Sequence, residues 1–257
     1  MNFGICTGLE NAQLLKSMGF DYIEGSLSTV AKMNRDEISE KLKLFNDYGI
    51  KMNVTNMFFP GDIKLAGESA DINKIKDYIC RAFDNASQFG VKTCVLGSGN
   101  ARRIPDESDY NKGYEQVLEA VKVAGEIAQQ YEITIAIEPL NLQETNIFTT
   151  VKESLEACKK INLENVCVLA DLYHMFVEKE DFSILPAAGE KLCHIHFCNP
   201  VERIYPSITD SYDYTPFISA LKQAGYKGKI SVEARSDDIA KDGVKALELL
   251  KQIFCTK

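Results

Sequence analysis

Basic charge is short in this 257-residue chain: 29 Lys and Arg stand against 37 Asp and Glu, for a net charge of −8. That deficit argues against a nucleic-acid partner, whose phosphates need a basic surface. No apolar run approaches the roughly 20 residues of a membrane span, so no membrane partner is expected. The eight cysteines are scattered with no CxxC pair, and Met1-Asn2-Phe3-Gly4-Ile5-Cys6 has no basic region followed by an apolar core. Reduced, buried thiols in a cytoplasmic protein are the expectation. There is no Ser/Gly-rich linker and no low-complexity tract. Cys6-Thr7-Gly8-Leu9-Glu10 is not the Gly-rich first turn of a dinucleotide-binding sheet.

What is present is an ordinary globular mix, 45% hydrophobic and 26% charged. A chain this long can bury most of its apolar surface without a disulfide or metal staple. A β-like run followed by a helix-like run recurs eight times. The β-like runs are Phe3–Cys6, Tyr22–Gly25, Met52–Thr55, Thr93–Leu96, Thr134–Ile137, Cys167–Ala170, Cys193–Phe197 and Ile230–Glu233. Several are continuously apolar, as strands covered on both faces must be. Helical spacing joins Ile75, Ile79, Ala82 and Ala86, then Val151, Leu155, Cys158 and Ile161, and more loosely Val244, Leu247, Leu250 and Phe254. Gly19, Gly49, Gly90 and Gly225 stand where helices should stop. Eight strands alternating with eight helices predict a single (β/α)8 TIM barrel over residues 1–257.

Barrel enzymes place their chemistry at the C-terminal ends of the strands. The fifth run is followed by Glu138, the sixth by Asp171, the seventh contains His194 and His196, and the eighth ends in Glu233. Asp171 could simply cap the following turn. Four such strands in succession are harder to dismiss. Three carboxylates held together repel one another unless a cation sits among them. A divalent metal site at Glu138, Asp171, His196 and Glu233 is therefore expected. Three oxygens and one nitrogen suit Mn²⁺, with Mg²⁺, Co²⁺ or Zn²⁺ as alternatives. His194 shares a strand face with His196 one layer lower, and reads as a satisfied core histidine.

These residues carry a resemblance. The chain resembles the xylose-isomerase-like barrel superfamily, and within it the sugar isomerase/epimerase family of D-tagatose and D-psicose 3-epimerases. The resemblance runs the length of the chain and is most specific from 133 to 235. It implies that Glu138, Asp171, His196 and Glu233 bind one divalent metal. It also implies that Glu144, His174 and Arg203 hold substrate oxygens. Arg203 stands one residue farther from His196 than in the ketose epimerases, so the loop geometry there must differ. Some family members are homo-oligomers, which leaves that possibility open here.

Moving a hydrogen beside a carbonyl needs a base and a stabilised enediolate, and epimerisation needs a second acid/base group on the opposite face. The family implies that pair is Glu138 and Glu233. The mainly acidic stretch Glu233-Ala234-Arg235-Ser236-Asp237-Asp238 favours a neutral sugar or polyol substrate over a phosphorylated one. Arg102 and Arg103 could recognise an anion, or pair with acids on a neighbouring helix. Phe58 and Phe59 could wall the sugar or anchor a loop in the core.

Ketose 3-epimerisation is the leading reading. An aldose–ketose isomerase of the hydroxypyruvate-isomerase kind, a lyase of the inosose-dehydratase kind and a non-catalytic sugar-binding subunit are the alternatives. A DNA-repair endonuclease on this barrel would need a histidine-rich zinc cluster and a basic face. Three histidines and a charge of −8 disfavour it.

Overall fold

A computed structural model describes residues 1–255. Its eight strands are β1 (Asn2–Cys6), β2 (Tyr22–Ser26), β3 (Lys51–Asn56), β4 (Thr93–Leu96), β5 (Thr134–Ile137), β6 (Val166–Asp171), β7 (Leu192–Phe197) and β8 (Lys229–Val232). They pair in sequence order as a closed parallel barrel. The seam closes between β1 and β8, with Phe3 opposite Ile230 and Ile5 opposite Val232. Each run read from the sequence lies on one of these strands, with ends shifted by no more than one residue.

The apolar runs need two covers, and the barrel supplies both. All six residues of β6 are buried. Inward-facing Tyr22, Val54, Val95, Ala136 and Leu169 fill the barrel interior. A larger core lies between the sheet and the helices, with Ile5, Ile23, Ile135, Val168 and Ile195 fully buried within it.

Among the described residues there are eleven α-helices, where the repeat predicted eight. They are α1 (Ala12–Met18), α2 (Leu27–Val30), α3 (Arg35–Tyr48), α4 (Ile72–Gln88), α5 (Gly99–Arg102), α6 (Tyr110–Gln129), α7 (Val151–Ile161), α8 (Leu172–Val177), α9 (Ile184–Ala188), α10 (Thr215–Gln223) and α11 (Ile239–Cys255). The three extra ones arise because the single-turn α2 and α5 precede the main helices after β2 and β4, and two short helices, α8 and α9, share the place of one after β6. Gly19 and Gly49 end α1 and α3 with φ of +93° and +63°, a region that favours glycine. Gly90 and Gly225 are left-handed as well.

Two of the three predicted helix faces are the buried faces of α4 and α7. In the third, Leu247 and Leu250 are buried and Phe254 packs on the core, but Val244 of α11 is 52% exposed, and the helix also buries Ala246 and Leu249. The i, i+3, i+4 spacing of Ala246, Leu249 and Leu250 places the inward stripe beside Val244 rather than on it.

The rim above the strands is uneven. Between β1 and a single 3-10 turn at Leu9–Asn11 there are only Thr7 and Gly8, whereas residues 198–214 separate β7 from α10. The barrel mouth is therefore low on one side and built up on the other.

Candidate active site

Four consecutive strands deliver polar groups to one spot. Glu138 follows β5, Asp171 ends β6, His196 lies near the end of β7 and Glu233 follows β8. Their ligating atoms all lie within 4.8 Å of one another. His196 Nδ1 is 2.8 Å from Glu138 Oε1, 3.5 Å from Glu233 Oε2 and 3.7 Å from Asp171 Oδ2. Glu138, Asp171 and His196 are buried, and Glu233 is partly open to the cleft.

Asp171 also caps α8, its Oδ1 accepting from the His174 amide at 3.0 Å. Capping and clustering thus act together: one oxygen fixes the helix, and the other faces His196.

Burial raises the Glu138 carboxyl above its ordinary value, and the nearby Glu233 charge adds to that, while His196 pulls the other way. His196 is driven well toward its charged form: burial opposes this, but the Glu233 and Glu24 carboxylates outweigh it. The cluster therefore gathers three acids around one buried ring. A divalent cation fits this donor set, since hard oxygen ligands and one imidazole nitrogen suit such an ion and it would relieve the mutual repulsion.

The three residues expected to hold substrate surround this cluster. Arg203 donates from Nη1 to Glu144 Oε1 at 3.1 Å and from Nη2 to Glu233 Oε2 at 3.4 Å. Its guanidinium lies 4.4 Å from the centre of the Tyr173 ring. The residue itself has φ +53°, so the β7 loop spends a left-handed backbone turn where the arginine enters. His174 is buried, and its Nδ1 accepts from the backbone and side-chain amides of Asn141, each at 3.0 Å. That places the proton on Nε2, which has no protein partner. A donor is left for a bound molecule.

A sequence profile of the xylose isomerase-like TIM barrel matches residues 12–253. The chain belongs to that family. It is 31% identical over 230 residues to a ketose 3-epimerase of Arthrobacter globiformis, covering 89% of this chain and 78% of that protein. It is 22% identical over 234 residues to 3-dehydro-D-guloside 4-epimerase of Escherichia coli, covering 88% and 87%. Among solved structures, D-allulose 3-epimerase from Methylomonas sp. in complex with D-allulose superposes with a TM-score of 0.85 at 22% identity, covering 99% and 97%. At that identity the superposition speaks to the fold.

Within this family barrel, the reading of Arg102 needs correction, and the open choice for Phe58 and Phe59 is decided. Arg102 neither faces a ligand nor pairs with an acid on a helix. It is fully buried and donates to the carbonyls of Leu96 at 2.9 Å and Glu138 at 2.7 Å, with Phe148 O at 3.4 Å. Burial pulls its guanidinium down to about 10, and the Glu138 and Glu144 charges act against that shift. Arg102 therefore ties the ends of β4 and β5 together directly beneath Glu138. Phe58 and Phe59 are core anchors, 0% and 4% exposed, packed on Phe83 and Tyr78. Met57 beside them is the exposed residue, at 59%.

Glu24 on β2 was missed. It is fully buried inside the barrel, one layer below the cluster. Its Oε1 is 2.9 Å from His196 Nε2, and its Oε2 is 2.8 Å from His194 Nε2 and 2.5 Å from Ser231 Oγ. Tyr22 OH lies 2.8 Å beyond, on Ser231. Burial disfavours the Glu24 charge, yet the two imidazoles hold its carboxyl well below the ordinary range. With Nε2–H donated to Glu24, Nδ1 of His196 faces the three carboxylates, and a cation binding there would take the place of the Nδ1 proton. His194 is thus hydrogen-bonded inside the core, and through Glu24 it is linked to His196. The signal was readable: an acid in the middle of Tyr22-Ile23-Glu24-Gly25, a strand covered on both faces, must have a buried partner. Cys6 Sγ, 3.8 Å from His196 Nε2, completes a second group with Glu24.

Proposed function

We propose that this barrel, acting as one domain, is a divalent-metal-dependent sugar epimerase that interconverts free ketoses by proton transfer at C3 through an enediolate. The observation that carries the reading is the convergence of Glu138, Asp171, His196 Nδ1 and Glu233 within 4.8 Å at the strand ends. The kinship with a ketose 3-epimerase and a 3-dehydro-D-guloside 4-epimerase supports the reaction class. The four residues would hold the ion, and three oxygens with one nitrogen favour Mn²⁺, with Mg²⁺, Co²⁺ and Zn²⁺ as alternatives. When bound, the ion supplies Lewis-acid polarisation of carbonyl and hydroxyl oxygens.

The remaining work falls to the chain. Glu138 and Glu233, from β5 and β8, form the pair that takes a proton from C3 on one side and returns one on the other. His174 donates from Nε2–H to a substrate oxygen. Glu144 and Arg203 fix hydroxyl groups, and the Arg203 charge complements negative charge as it develops. Which carboxylate acts as base depends on the direction of reaction. The free thiols of Cys6, Cys80, Cys94, Cys158, Cys167, Cys193 and Cys198 support a reducing, cytoplasmic setting. No helix among the described residues is long and apolar enough to cross a membrane.

The test uses metal-stripped protein reloaded with Mn²⁺ and a panel of ketoses, aldoses and inososes in D₂O, read by NMR. Deuterium at C3 together with a new epimer is the expected result. Entry at C1 or C2 would make the enzyme an aldose–ketose isomerase, and loss of water a lyase.

A further inference from the structure

Glu233 stands between two clefts. One, of about 490 Å³, is lined by Glu138, Glu144, Arg203, Gln143 and Phe59, and the other, of about 580 Å³, opens on the low β1–β3 side of the rim. Asn56, Met57 and Glu233 line both. The reacting carbons, which must meet Glu233, therefore lie where the clefts join, and the two ends of a substrate diverge into them. Either cleft alone is within the range that buries a drug-sized ligand. A six-carbon ketose does not need both.

The second cleft exists because only Thr7 and Gly8 stand between β1 and the turn at Leu9, so nothing covers that side of the mouth. Its lining mixes hydroxyl and amide groups (Thr7, Ser26, Thr29, Asn56) with the apolar faces of Leu9, Met33 and Met57. That alternation suits a sugar ring, which has polar edges and C–H faces. Two of its polar side chains are uncommitted. Neither the Asn56 amide nor the Lys41 ammonium has a hydrogen-bond or ion-pair partner among the described residues, and both are only partly exposed.

We propose that this second cleft is a glycosyl subsite, and that the preferred substrate is a ketose carrying a further sugar residue at the end remote from the reacting carbons. The inference rests on the ketose-epimerase reading. Asn56 and Lys41 bind hydroxyl groups of the outer ring, which packs on Leu9 and Met33. The kinship with an enzyme named for a guloside is in keeping with a substituted sugar.

The test compares 6-O-α-D-glucopyranosyl-D-fructose with 6-O-methyl-D-fructose on the Mn²⁺-loaded enzyme, following deuterium entry at C3. Neither sugar can close a pyranose ring, so the comparison isolates the outer sugar. The expected kcat/KM for the disaccharide is higher by about tenfold, the effect of one or two well-made hydrogen bonds. Thr29→Trp, which fills the cleft, and Lys41→Ala, a mild change on α3, should each shrink that ratio by at least about fivefold. Equal or faster turnover of the methyl ether overturns the subsite, as does a ratio that neither variant moves. Exchange in neither sugar, with Mn²⁺ bound, overturns the ketose reading itself and the subsite with it.

Discussion

The two halves of the barrel are built alike and end differently. In the first half, β1 to β4 finish in Cys6, Ser26, Asn56 and Leu96, none of them a carboxylate. In the second, β5 to β8 lead into Glu138, Asp171, His196 and Glu233. The scaffold repeats because each βα unit solves the same burial problem. The chemistry does not repeat, because only adjacent strand ends can converge on one small ion. The first half still serves the site at one remove. Glu24 reaches across the interior to fix the ring of His196, Arg102 braces the carbonyl of Glu138, and the low rim opens a cleft.

The sharpest contrast comes from the strand ends themselves. Replacing Glu233 by Gln should lower kcat/KM by about 10²–10⁴, the usual worth of a positioned acid/base group, with the fold unchanged by circular dichroism. Asn56→Ala, at the matching rim position of β3, should keep turnover of a small ketose within about tenfold. Equal losses in the two variants would erase the distinction between halves. Stripping the metal with a chelator should abolish activity, and Mn²⁺ should restore it.

Next in size is a variant that blurs the boundary. Glu24→Gln replaces an ionised acceptor with an amide below the cluster. It should weaken Mn²⁺ binding, followed by titration calorimetry, by about 10–100-fold, as is typical when the partner of a ligating histidine is lost. Unchanged affinity would mean that Glu24 is only a packed core acid. Arg102→Met should destabilise the protein by about 3 kcal/mol, because the Leu96 and Glu138 carbonyls lose their buried donor. The urea midpoint measures it. Smallest of all, Asn34→Ala removes a capping box at the start of α3, where Asn34 accepts from the Asp36 and Glu37 amides and Glu37 returns the bond. It should cost about 1 kcal/mol and leave turnover alone.

The strands were legible because burial on both faces demands apolar runs, and the helix ends because a left-handed stop favours glycine. Asp171 and Glu233 stood out because acids directly after such runs must reach the rim. What the sequence left open or misplaced shares one cause. Phe58 and Phe59 sit in a loop and Arg102 ends the single-turn α5, where no periodicity says which way a side chain turns. Only the packing of Phe83 and Tyr78, and the carbonyls crowded at the end of β5, send them inward. Val244 alone of its predicted face turns outward, because α11 carries apolar residues at four of the five positions from 246 to 250 and the barrel centres the inward stripe on those. Glu24 was hidden by position, since it lies inside a strand and a search of strand ends passes over it.

His196 concentrates the account in one ring. Its Nδ1 faces the carboxylates of the second half, and its Nε2 faces Glu24 and Cys6. The most direct measurement is a crystal structure of the Mn²⁺-loaded protein with anomalous scattering at the manganese edge. One peak bonded to Glu138, Asp171, His196 Nδ1 and Glu233 is the predicted result. A peak on the Nε2 side, among Cys6 and Glu24, or no peak at the strand ends at saturating Mn²⁺, would contradict it.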